Sequence, residues 1–93
     1  MEDDRILTQH PAGKKGVRIA RAKYDIIFAF ILKKVGDRPG ITFSDLADLA
    51  VQEVAPTFDG KVLWYLTTVK LDMEARGVIE RVPRTSPHQL RLV

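Results

Sequence analysis

The sequence predicts an α+β fold, mainly α, with three helices followed by a C-terminal two-stranded β-hairpin. Apolar residues recur at helical spacing in three stretches before residue 77. Glycine and proline clusters separate those stretches. Beyond Gly77 the pattern changes to two short alternating runs.

Residues 1–16 mix acids, His10-Pro11 and two glycines bracketing Lys14-Lys15, with no apolar period. They read as a flexible N-terminal arm on a domain spanning residues 17–93, with Ile6 and Leu7 available to dock. Val17 to Ile19 extends briefly before the first helix. That helix is predicted from about Arg21 to Val35, where Tyr24, Ile27, Phe28, Ile31, Leu32 and Val35 make a buried stripe. Lys33 and Lys34 suit the negative end of its dipole, and Gly36 stops it.

Gly36 to Gly40 is a loop, after which Ile41-Thr42 leads into the second helix. Thr42 with Asp45 three positions on resembles a capping box, with Asp in place of Glu or Gln. Phe43, Leu46, Ala47, Ala50 and Val54 form its core stripe, and Pro56 ends it. Asp59-Gly60 opens the third helix, with Asp59 as N-cap, and the helix runs to about Arg76. Val62, Leu66, Val69 and Met73 line its inner face, and Gly77 closes it. Val78 to Pro83 and His88 to Val93 are the hairpin strands, joined by Arg84-Thr85-Ser86-Pro87. Such a ribbon is too small to stand alone and must pack on the helices.

Ninety-three residues suffice for one domain. The chain has no cysteine, which excludes disulfides, thiolate metal sites and thiol catalysis. Its longest apolar run, Ile26 to Leu32, is far shorter than a membrane span needs. The first four residues are acidic overall, unlike a signal peptide, so a soluble cytoplasmic protein is expected.

Catalysis is poorly provided for. His10 lies in the arm and His88 at the hairpin turn, and neither has a partner in sequence for a nucleophile–base pair. Two scattered histidines do not suggest a metal site, so no metal or other cofactor is expected. Asp45 and Asp48 lie about one helical turn apart and read as a solvated face. Gly13-Lys14-Lys15-Gly16 lacks the glycine spacing of a phosphate loop. The chain is therefore expected not to be an enzyme.

Charge is distributed unevenly. The net charge is +3. Lys14, Lys15, Arg18, Arg21 and Lys23 form a basic block, and Arg81, Arg84 and Arg91 outweigh Glu80 near the C-terminus. Asp45, Asp48, Glu53 and Asp59 make the second helix and its exit acidic. Such asymmetry suits a basic face meeting a polyanion.

The stretch Lys70-Leu71-Asp72-Met73-Glu74-Ala75-Arg76-Gly77-Val78-Ile79-Glu80-Arg81 resembles the junction between recognition helix and wing in winged helix-turn-helix regulators. There a glycine ends the helix and a hydrophobic pair enters the wing before charged residues. The resemblance covers roughly residues 20–93, and the whole is similar to a group of short, uncharacterised bacterial proteins built on this one domain. It implies a three-helix winged helix-turn-helix, and a small bacterial transcriptional regulator or DNA-associated accessory protein.

In that arrangement the third helix and the wing bind double-stranded DNA. The expected contacts are Lys61, Thr67 and Thr68 on the helix, Arg81, Arg84 and Arg91 on the wing, and Lys14, Lys15, Arg18 and Arg21 on phosphates. No arginine, asparagine or glutamine occupies the outer face of the third helix before Arg76, so base reading is poorly provided for. Apolar residues on second faces point to a different use. Trp64 and Leu71 lie opposite the core stripe of the third helix, and Ile26 and Phe30 lie away from that of the first. The arm and wing, a second copy in a homodimer, or another protein could cover them. The alternative function is accordingly a protein-interaction or dimerisation module without nucleic-acid binding.

Overall fold

The computed structural model describes residues 4–93; the first three residues of the predicted arm lie outside the described residues. In chain order the elements are β1 (Arg5–Leu7), β2 (Arg18–Ala20), α1 (Arg21–Asp37), β3 (Ile41–Thr42), α2 (Phe43–Glu53), a 3₁₀ turn (Ala55–Thr57), α3 (Val62–Ala75), β4 (Ile79–Arg81) and β5 (Gln89–Leu92). The fold is α+β, with three helices and two small antiparallel sheets.

Each helix buries most of the stripe its spacing prescribes. Tyr24, Ile27, Ile31 and Val35 of α1 meet Leu46 and Ala50 of α2 and Val62, Leu66, Val69 and Met73 of α3 in one core. Leu32, expected within that stripe, is exposed instead, and α1 continues through Gly36 to Asp37. The Asp45 N–H donates to Thr42 Oγ1 at 3.1 Å, so the predicted cap of α2 is present. Asp59 does not cap α3. Lys61 holds the N-cap position without a side-chain bond, and Asp59 lies 3.9 Å from Lys23 Nζ in an exposed ion pair. Two extra residues, Gly60 at φ +137° and Lys61, separate Asp59 from the helix. Gly77, at φ +74°, ends α3 in the left-handed conformation that glycine adopts without steric cost.

The larger sheet has the order β3–β5–β4. Leu90 stands opposite Ile41 on one side and Arg81 on the other. Side chains alternate across a strand, so Leu90 points into the core while Arg91 points out. Ile41, Ile79 and Leu90 are almost completely buried against the helices. The sequence reading gave Ile41-Thr42 no strand partner; here it forms the third strand.

The described part of the predicted arm is not a free tail. Arg5, Ile6 and Leu7 pair with Ala20, Ile19 and Arg18 in a second antiparallel ribbon. Ile19 is buried and Ile6 packs partly on the core, whereas Leu7 and Val17 remain exposed. The segment lacks an apolar period because its order comes from backbone pairing and from one buried carboxylate on α3.

Candidate functional site

That carboxylate belongs to Asp72, which is fully buried. Its Oδ1 accepts the Gln9 N–H at 2.8 Å, and its Oδ2 accepts the Tyr24 hydroxyl in a short bond. Arg76, one turn further along α3, places Nε 2.9 Å from both oxygens. A second guanidinium nitrogen of Arg76 donates to the Leu7 carbonyl at 3.3 Å. A buried anion is tolerable only when paired and hydrogen-bonded in this way. Burial, then the bond to Asp72, raises the Tyr24 phenol well above its ordinary pKa of 10. The bond to Asp72 also raises the pKa of Arg76, which therefore stays charged. Asp72 thus joins α1, α3 and the segment after β1 at one point.

The turn between β1 and β2 is closed by a second set of bonds. The Thr8 N–H donates to the Val17 carbonyl at 2.8 Å, and the Thr8 hydroxyl donates to the same oxygen and accepts the Val17 N–H, each at 3.0 Å. Gly16 sits so close to this pairing that an added Cβ would stand 1.6 Å from the Thr8 carbonyl oxygen. Only glycine fits there.

Residues of this turn and the outer face of α3 enclose a cleft of about 180 Å³. Trp64, Thr68 and Leu71, at spacings of four and three, share one helical face and form one wall. Thr8, Lys15 and Val17 contribute to the other. The Trp64 ring is held edge-on by Tyr65, with centroids 5.0 Å apart, and Tyr65 in turn meets Phe58. Of the residues predicted to make a site, the structure therefore brings together Lys15, Thr68, Trp64 and Leu71.

A protein family of unknown function (DUF6958) matches residues 5–90. The chain belongs to this family. No curated protein and no solved structure matches it. The family match begins at β1 and ends within β5, so it contains the whole β1–β2 hairpin and the β4–β5 hairpin up to Leu90.

The other predicted site residues of this family member divide by whether an acid holds them. Arg21, at the start of α1, pairs with Asp4 at 3.1 Å. Arg91 places Nε 2.6 Å from Glu80, which stands opposite it across the hairpin. Arg81 turns to Glu74 at 3.4 Å rather than to Glu80. Lys14, Lys15, Arg18, Lys61 and Arg84 have no ion-pair partner among the described residues. Lys14 and Lys15 are exposed on the turn, Arg18 opens β2, Lys61 precedes α3, and Arg84 sits at the β4–β5 turn with φ +63°. Thr67 is exposed, and its hydroxyl donates back to the Leu63 carbonyl at 3.0 Å. Ile26 is 52% exposed on α1, while Phe30 is partly buried with Lys34 Nζ 5.8 Å from its ring centre.

A second polar cluster also escaped the sequence reading. Lys70 is almost completely buried on α3, with Nζ 2.9 Å from Glu74 Oε1 and 5.5 Å from the Phe43 ring centre. The His88 ring stacks on Phe43, and burial followed by the Lys70 and Arg81 charges lowers its pKa below 6.5. This cluster packs the β4–β5 ribbon against α2 and α3. Among the described residues, no three of His, Cys, Asp or Glu gather as metal ligands, and no helix is long and apolar enough to cross a membrane.

Proposed function

We propose that the chain is a winged-helix domain that binds duplex DNA, chiefly through phosphates. The order of three helices and a β3–β5–β4 sheet supports the winged-helix reading, with β4, its turn and β5 as the wing. The observation that carries the DNA reading is the distribution of Lys14, Lys15, Arg18, Lys61 and Arg84, the five cations without acidic partners among the described residues. Three lie on the β1–β2 hairpin, one at the start of α3 and one at the wing turn. Lys61 is exposed at the N-cap position of α3, one residue before the helix begins.

Two further features favour this reading. The acidic surface of α2 is partly neutralised, because Arg38 holds Asp45 and Lys34 holds Glu53, each at 2.9 Å. The turn carrying Lys15 borders Trp64, Thr68 and Leu71, which leaves the exposed Leu63, Trp64 and Thr67 as the part of α3 free to face a groove, a set with no side chain suited to bidentate base reading. Contacts to the sugar-phosphate backbone therefore outweigh base reading, and sequence preference is weak.

Fluorescence anisotropy of the whole chain with a labelled duplex of arbitrary sequence tests the proposal. If these five cations each meet a phosphate, the log–log dependence of affinity on salt has a slope of about −4.5. Lys61→Gln lowers that slope by about 0.9. No binding at low salt removes the proposal.

A second reading rests on adjacent Leu63 and Trp64, each 47% exposed at the start of α3. Apolar surface of this kind suits a self-association or protein-contact face. Light scattering over a wide concentration range tests it, with a monomer throughout excluding the homodimer.

A further inference from the structure

We propose that the cleft between the β1–β2 turn and α3 binds a small aromatic carboxylate. Its volume of about 180 Å³ exceeds the roughly 150 Å³ of an apolar cavity that accepts benzene. One ring with a short substituent fits; a nucleotide or a peptide side chain with its backbone does not. Trp64, Leu71 and Val17 offer apolar walls, and Trp64 is braced by an edge-to-face contact with Tyr65, which does not itself line the cleft. A ring entering the cleft therefore meets a wall already in place, which lowers the ordering cost of binding.

The charge of the ligand follows from the cations nearby. Lys15 lines the cleft without an ion-pair partner among the described residues. Arg76, the next cation on this side of α3, is neutralised by Asp72. One free lysine matches one carboxylate. Among the described residues the only other ionisable side chain lining the cleft is His10, whose Nδ1 accepts the Ala12 N–H at 3.0 Å, so no second lysine or arginine is there for a phosphate dianion. Thr68 lines the same wall and supplies a hydroxyl. The Thr8 hydroxyl is already engaged with Val17, so it closes the turn rather than competing for the ligand. The site shares Lys15 with the DNA reading but does not rest on it, since its occupancy is read without nucleic acid.

Trp64 is the sole tryptophan, so its indole N–H gives one assignable amide-spectrum peak that reports on the cleft. Benzoate titrated into the full ¹⁵N-labelled chain should shift that peak saturably, with a dissociation constant on the order of 1 mM for so small a ligand. Benzyl alcohol, of similar size but uncharged, should bind about three- to fivefold more weakly, and Lys15→Gln should weaken benzoate by the same factor. Leu71→Trp, which fills the cleft, should abolish the shift. Its remaining peaks establish that it is folded, and Lys15→Gln, at an exposed turn position, provides an independent check. Absence of a saturable shift with benzoate overturns the proposal. Equal binding of benzyl alcohol, or an unchanged Lys15→Gln affinity, overturns the carboxylate assignment.

Discussion

Two hairpins flank the same helix and are held to it by opposite means. The β4–β5 ribbon, with β3 beside it, is fixed by burial: Ile41, Ile79 and Leu90 are among the largest fully buried side chains. The β1–β2 ribbon buries Ile19 but leaves Leu7 and Val17 exposed, and a few directional bonds to Asp72 and Arg76 fix its far end. Burial acts over area and tolerates small shifts, whereas bonds to a buried carboxylate depend on angle and fail when one partner is lost. The first ribbon is therefore part of the core, and the second is latched onto it.

The strongest test of this contrast is Leu90→Ala. Removing a fully buried leucine side chain should cost about 3 kcal/mol of unfolding free energy, measured by urea denaturation. If the helices stay fully stable while only the ribbon is lost, the ribbon is not core. Next comes Asp72→Asn, which keeps the shape but removes the charge that Arg76 and Tyr24 face. The expected loss is about 2 kcal/mol. Amide hydrogen exchange should rise at residues 5–7 and 18–20 and stay slow at 79–81 and 89–92. Equal loss in both ribbons would break the comparison.

Alkaline pH probes the latch without mutation. The Tyr24 phenol has a folded pKa raised above 10, so above pH 10 the unfolded chain releases a proton that the folded chain keeps. Its contribution is complete below pH 10 and is lost as pH rises toward the folded value. Tyr24→Phe should cost about 1.5 kcal/mol at neutral pH and flatten this alkaline decline. A wild-type decline that persists unchanged in Tyr24→Phe would assign it elsewhere. The most local effect is expected from Gly16→Ala, at about 1–2 kcal/mol, because a backbone carbonyl rather than a flexible side chain must give way. The methyl group cannot share space with the Thr8 carbonyl, so the turn must move away while the bundle persists. Thermal unfolding combined with the Trp64 indole resonance separates these two effects.

Much of the bundle was legible because its information is local. Val62, Leu66, Val69 and Met73 repeat along one helix, Thr42 caps the helix it precedes, and Gly77 ends the helix before it. The β1–β2 ribbon was not legible, because its main side-chain anchor, Asp72, lies 63 positions beyond Gln9. The only nearby sign was Asp72 with Arg76 at helical i, i+4 spacing, which is ordinary on a solvated face. Lys70 was hidden for the same reason: its acid, Glu74, is local, but its burial depends on Phe43 and the ribbon. Of the candidate site residues, Lys15, Thr68, Trp64 and Leu71 converge because that ribbon folds back over α3, a placement no periodicity encodes.

The central place of β5 has a kinetic consequence. Leu90 pairs with Arg81 nine positions away and with Ile41 forty-nine positions away. Closing the longer loop costs about 1.5 kcal/mol more chain entropy. The two C-terminal strands therefore meet early, and the strand before α2 joins them only after α2 and α3 have folded back.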